Sequence, residues 1–242
     1  MEALKAKLVR DGRIRFAINL GNTTLAQQDE ASGELTGVSV ALARDLAERL
    51  SAEPAFVVYS GAGKVVDDAG AGRWDVAFLA IDDKRREVIA YSSPYVIIEA
   101  KAVVRAGSPL RHVSELDSAG VRLLVSRGSA YDLYLTKAAS KLSLHRSDTP
   151  AESFAAFKRD TGSGDAVAGV GQSLAAAFAG DPDFRMLDGA ITTIEQAMVV
   201  PVMHSSVTGA LSIYVEARKA DGCVRRALDE SGMSEVDVAT AR

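Results

Sequence analysis

At 242 residues, 48% of them hydrophobic and 25% charged, the chain is long enough for one large domain or two of ordinary size and too apolar to stay disordered. Its 28 Lys and Arg against 32 Asp and Glu leave a formal charge of -4, which excludes a globally basic surface for nucleic acid or anionic lipid and points to a small partner. Cys223 is the only cysteine, so an internal disulfide and a cysteine-built zinc site are excluded, and His112, His145 and His204 have no second histidine at metal-ligand spacing.

Residues 1–10 alternate charged and apolar side chains at helical spacing and predict an amphipathic helix. They lack the continuous apolar stretch of an export signal, so secretion and a cytosolic location both stay open. No run approaches the roughly 18 apolar residues of a membrane span. Residues 13–19 alternate as a strand and lead into the polar loop Gly21-Asn22-Thr23-Thr24, a candidate binding loop. Val38, Leu42, Leu46 and Leu50 form the apolar stripe of a crossover helix. Residues 54–59 then read as a strand, 63–71 as a short helix and 75–81 as a third strand, so β-α-β-α-β alternation is established.

A second apolar run, residues 95–104, is too long for an ordinary strand. The alternation then resumes with a strand at 121–125, a helix from Ala130 to about Ser140, a strand at 143–145 and a helix from Pro150 whose Phe154 and Phe157 share a face. Gly162-Ser163-Gly164 breaks that helix, 165–169 is a short strand, 172–179 a helix and 184–187 another strand. Residues 190–203 read as a return crossing, followed by helical stripes of Leu211, Tyr214 and Val215 and of Val224, Leu228 and Met233. No internal repeat is apparent; the two halves are alike in pattern only.

The organising stretch is 73–95. Val76 to Ile81 reads as a strand buried on both faces, and it stops at Asp82-Asp83-Lys84-Arg85. A charged turn at the end of a buried strand is where α/β proteins place ligands. With Tyr91-Ser92-Ser93-Pro94-Tyr95, and with Gly33-Glu34-Leu35-Thr36-Gly37 and Gly72-Arg73-Trp74-Asp75 upstream, this stretch resembles the "Thr-x-x-Arg, Phe-Ser-x-Pro-Tyr" signature of the family 3 extracellular solute-binding proteins that serve polar amino-acid ABC importers.

The resemblance implies a two-lobed type II periplasmic-binding-protein fold, two mixed sheets joined by two crossing strands. Lobe one would be 1–104 plus 194–242 and lobe two 105–193, with the ligand cleft between them. It also implies a small-molecule solute, a membrane ABC permease as partner, a monomer in the periplasm, no cofactor and no catalysis.

Arg85 stands at the family's ligand-binding arginine, whose planar fork suits a carboxylate. Read by itself it is a solvated arginine beside Arg86. Gly128-Ser129 stands at the family's glycine-hydroxyl turn; such a turn ahead of a helix presents donors to an anion, and Ser129 is equally a plain helix cap. Asn22 and Gln196 are candidates for directional amide bonds, as is Gln172. Tyr131 and Tyr95 are candidate pocket walls or core residues, and Trp74 is expected to pack under the Gly72 turn.

Two positions depart from the family pattern. Asp82 replaces a threonine that would meet the ligand carboxylate, so it caps the following turn, pairs with Arg85 or meets a donor group of the ligand. Val170 replaces an acidic residue that many members use for an α-ammonium. Gly37-Val38-Ser39-Val40-Ala41 looks like a nucleophile elbow with its last glycine missing, and no strand is expected before it. Gly169-Val170-Gly171 lacks the third glycine of a nucleotide loop. The rival readings are a dehydratase-like lyase on the same scaffold, with Asp82 or Glu195 as general acid, and a cytosolic sensor domain.

Overall fold

The computed structural model describes residues 1–118 and 120–241. Ala119, inside the expected second lobe, and Arg242, at the end of the expected first, lie outside the described residues. The chain begins with α1 (Glu2–Leu8), β1 (Arg13–Asn19), a small pair β2 (Gln27–Gln28) and β3 (Leu35–Thr36), α2 (Val38–Arg49), β4 (Glu53–Tyr59), α3 (Ala62–Asp67) and β5 (Val76–Ala80). A 3₁₀ turn (Asp83–Glu87) leads into β6 (Ile89–Arg105), followed by β7 (Arg122–Ser126), α4 (Ala130–Ala138), β8 (Ser143–Ser147), α5 (Pro150–Arg159), β9 (Ala166–Val170) and α6 (Gly171–Ala177). β10 (Phe184–Met186), β11 (Thr192–Pro201), a 3₁₀ turn (Val202–Val207), α7 (Thr208–Ala220), α8 (Cys223–Glu230) and β12 (Asp237–Val238) complete it.

The chain divides into two compact units, Met1–Ile97 with Glu195–Arg242, and Ile98–Ile194. The first division falls inside β6, upstream of residue 104, where the expected boundary lay. The strand itself explains this: Val96 and Ile97 pair with β12 of the first unit, whereas Ala100 to Val104 pair with β9 of the second. A single strand with two sets of partners has no sequence signal at the point where they change.

In the first unit β1 lies between β4 and β5, all parallel, and β11 runs antiparallel to β5 with Gln196 opposite Ala80. In the second unit β9 lies between β6, antiparallel to it, and β7, parallel to it; β8 extends the sheet beyond β7. Each unit has its own core. Trp74, 1% exposed, packs with Tyr59, Val65, Leu79 and Ile89, and its indole N–H donates to the Val65 carbonyl at 3.1 Å. Phe154, Phe157 and Phe178 fill the second core with edge-on contacts, and Arg105 lies over Phe157 and Phe184 while donating to the Phe157 and Asp160 carbonyls. Burying each such ring contributes roughly 1.5–3 kcal/mol.

The units share one polar device that the sequence pattern did not reveal. Asp75, just before β5, accepts three hydrogen bonds from Arg15 of β1: the backbone N–H at 2.9 Å, Nε at 2.9 Å and Nη2 at 2.6 Å. Arg15 Nη1 donates to the Gly72 carbonyl, and the Asp75 N–H returns to the Arg15 carbonyl at 2.8 Å. Asp165, just before β9, accepts the same three bonds from Arg122 of β7, at 2.8, 3.2 and 3.3 Å. Arg122 Nη1 donates to the Gly162 carbonyl, and the Asp165 N–H returns to the Arg122 carbonyl at 2.8 Å. Burial alone would raise the Asp165 carboxyl, but the bonds from Arg122 hold it below its ordinary value.

The two clamps differ in burial. The Asp75 side chain is 2% exposed and also meets Arg10 at 3.5 Å, whereas that of Asp165 is 41% exposed. A buried charge stripped of part of its pairing costs several kcal/mol; a solvated pair contributes little. Asp75→Asn should therefore lower unfolding stability by about 3 kcal/mol, and Asp165→Asn by about 1 kcal/mol or less. Urea titration of both variants checks this; equal losses would contradict the assignment.

Candidate functional site

The parallel strands of the first unit bring two loops to one edge. β1 ends at Asn19 and runs into Gly21-Asn22-Thr23-Thr24; β5, beside it, ends at Ala80 and runs into Ile81-Asp82 and the 3₁₀ turn. Gly21 is required where it stands, because a Cβ there would lie 2.6 Å from the Ser60 carbonyl oxygen. Gly37 is required for two reasons: φ is +104°, and a Cβ would come within 2.5 Å of the Leu25 carbonyl oxygen, which accepts the Ser39 N–H. The first approach sets the Asn22 loop against Ser60 and Gly61 after β4, and the second sets Leu25 against the start of α2.

Arg85 is 3% exposed, not the solvated surface arginine of the plainer reading. Its Nη1 donates to the Ala80 carbonyl at 3.0 Å. Burial lowers the Arg85 guanidinium from its ordinary value, while Tyr91 and Asp82 act in the opposite sense. Burial in turn pushes the Tyr91 phenol up to about 12, with Arg85 pulling it down. Asp82 caps the turn: its Oδ1 accepts the Lys84 N–H at 2.9 Å, and Tyr91 donates its hydroxyl to the Asp82 carbonyl at 3.3 Å.

Asn22 is 8% exposed, and its Oδ1 is buried with no hydrogen-bond partner among the described residues. Gln196, 5% exposed, stands on β11 opposite Ala80, the residue whose carbonyl holds Arg85. The first unit thus gathers Asn22, Asp82, Arg85 and Gln196 at one edge of its sheet. The Asn22 amide oxygen is buried without a partner among the described residues on the same unit as the buried Arg85 guanidinium.

In the second unit β7 and β9, also parallel, deliver two helix starts to one edge. Gly128 has φ +68°, and Ser129 caps α4 by accepting the Asp132 N–H on Oγ at 3.1 Å. The Gly128 N–H donates to Asp132 Oδ2 at 2.9 Å, and the Ser129 N–H to the Ser126 carbonyl at 3.1 Å. Asp132 is itself buried and paired with Arg146 Nε at 2.8 Å. The protein's own carboxylate therefore occupies the start of α4, a role for Asp132 and Arg146 not anticipated from sequence. The spacing Ser129-x-x-Asp132 is a capping pattern and is the signal that could have found Asp132.

Tyr131 is 3% exposed, and burial pushes its phenol up to about 12, with Ser129 and Ser126 pulling the other way. Tyr95 is fully buried and bonded to Ser39, a core residue. Val170 begins α6 without a side-chain cap, and Gln172 Oε1 beside it is buried without a partner among the described residues.

The family model for bacterial extracellular solute-binding proteins, family 3, matches residues 14–231. The chain belongs to that family. Solved structures agree on the fold. The L-cysteine solute receptor of Neisseria gonorrhoeae is 24% identical with a TM-score of 0.80, covering 95% of this chain and 92% of that one. A mutant of ArgBP from T. maritima is 22% identical with a TM-score of 0.78, covering 96% and 98%. An ancestral amino-acid-binding protein described as a precursor of cyclohexadienyl dehydratase is 18% identical with a TM-score of 0.77, covering 93% and 98%. This family 3 protein thus has the two-lobed type II periplasmic-binding-protein fold.

The cap at Asp82 is directly testable. Asp82→Ala should destabilise the protein by about 1 kcal/mol, and Asp82→Asn by only a few tenths, since asparagine caps as well as aspartate. Thermal unfolding separates the two; equal destabilisation would mean that the charge, not the cap, is what matters.

Proposed function

We propose that the chain is the solute-capturing component of an ABC importer, working outside the cytoplasm as a monomer, and that it binds a small amino-acid-like or organic-anion solute by closure of its two lobes. The observation that carries this reading is Arg85: a guanidinium 3% exposed, anchored by the Ala80 carbonyl at the end of a buried strand. Holding an arginine there costs desolvation, which a bidentate carboxylate offsets. Asn22 and Gln196 would orient the solute from the same edge. From the second unit Ser129 would meet it through its hydroxyl, with Tyr131 and with Gly128, whose N–H is held by Asp132, and the membrane permease would receive it. No cofactor enters this reading.

The internal carboxylates sharpen the proposal. Asp82 is engaged as a cap, Asp132 is paired with Arg146, and Val170 offers no charge. The reading therefore commits to a carboxylate on the solute rather than to an α-ammonium.

A thermal-shift screen over amino acids, opines, dicarboxylates and amines tests it. A solute present at about 100 times its dissociation constant stabilises by about 2.7 kcal/mol, a rise of roughly 5–11 °C for a chain of this size. Arg85→Ala should abolish that rise for every carboxylate that produces it. An unchanged shift in the variant, or shifts from amines alone, would overturn the assignment.

A further inference from the structure

α1 is held on the first unit by two kinds of contact. Leu4 and Leu8 are both 0% exposed, and the helix packs on the 202–207 turn and on α7. The polar contact follows the helix: Arg10 Nη2 lies 3.3 Å from Nε2 of His204. A guanidinium carries donors only. His204 Nε2 must therefore be the acceptor, and the ring is neutral with its proton on Nδ1.

The surroundings favour that neutral form. His204 is 9% exposed, and Nδ1 is buried without a hydrogen-bond partner among the described residues. Burial first, then Arg10 and Lys7, lower its basicity; Asp75 and the Met203 carbonyl act the other way. Asp75 is already engaged by Arg15 and Arg10. The 202–207 turn carries no other charged side chain.

We propose that the Arg10–His204 contact is an acid-released latch: protonation of His204 sets an imidazolium against the Arg10 guanidinium, and α1 with the linker to β1 leaves the 202–207 turn. The sign follows from linkage. Once α1 is off, His204 recovers its ordinary affinity for a proton, so the released state binds protons more tightly than the docked one. Docking is at full strength above the ordinary histidine value of about 6.5 and weakens as the pH falls below it towards the lowered docked value. A single proton allows the release equilibrium to grow by at most about tenfold per pH unit in that window. The latch has a short path to the candidate site, because the Val202 N–H donates to the Val88 carbonyl at 2.9 Å, at the end of the turn that carries Arg85.

Amide hydrogen exchange of the full chain, corrected for intrinsic rates, tests this between about pH 8 and about pH 5.5. Protection in residues 5–10 should fall with acid by up to about tenfold per unit while β1 stays protected. His204→Gln, which keeps a neutral acceptor for Arg10, should remove that pH dependence. A second measurement avoids reliance on that variant folding: in a carbon-edited NMR titration, Arg10→Gln should raise the His204 titration midpoint towards its ordinary value. Flat protection in the wild type, the same acid loss in His204→Gln, or a His204 midpoint unmoved by Arg10→Gln would each overturn the latch.

Discussion

The first unit depends on a carboxylate that cannot be left alone. Asp75 is almost wholly out of water, and a lone charge there would be prohibitive; the forked bonds from Arg15, with Arg10 at the rim, make the burial tolerable. Because Arg15 reaches Asp75 through both its backbone and its side chain, the clamp also fixes how far β5 slides against β1. That register carries to the other end of the strands. There the Asn22 loop follows β1 and the turn bearing Arg85 follows β5, so a contact before β5 bears on how the two loops leave their strands.

The second unit repeats the clamp with Arg122 and Asp165 but leaves it half in water. The same local solution, a glycine carbonyl and an aspartate three residues later binding one arginine of the neighbouring strand, thus carries different energetic weight in the two units. In the second unit the heavier duty falls on Asp132. Buried and paired with Arg146, it closes the Gly128 turn and occupies the helix start that would otherwise attract an anion. The two edges are therefore unlike: one carries a buried cation bonded to the Ala80 carbonyl, the other hydroxyls on a turn already satisfied by its own carboxylate.

Much of this was legible from local pattern. The buried run ending at Asp82, the four-residue stripe of α2 and the phenylalanine pair of α5 each announce their element, because period and burial are coupled within a few residues. Asp82 as a cap and Ser129 as a cap were readable for the same reason. What was not legible is what joins distant residues. Arg15 and Asp75 are 60 residues apart, Arg122 and Asp165 43, and Arg10 and His204 194; each partner alone is an ordinary surface charge or a stray histidine. Arg85 was suspected from its setting, but its burial was not legible, because an arginine beside Arg86 carries no local signal of the packing that covers it.

We propose that Arg85 receives the carboxylate of a small solute at the end of β5. The most direct test is a crystal structure of the protein grown with whichever carboxylate stabilises it most. That carboxylate should stand in bidentate contact with the Arg85 guanidinium, with N···O distances of about 2.7–2.9 Å, and Asn22 Oδ1 should accept a donor of the solute. A solute bound out of reach of Arg85 would contradict it.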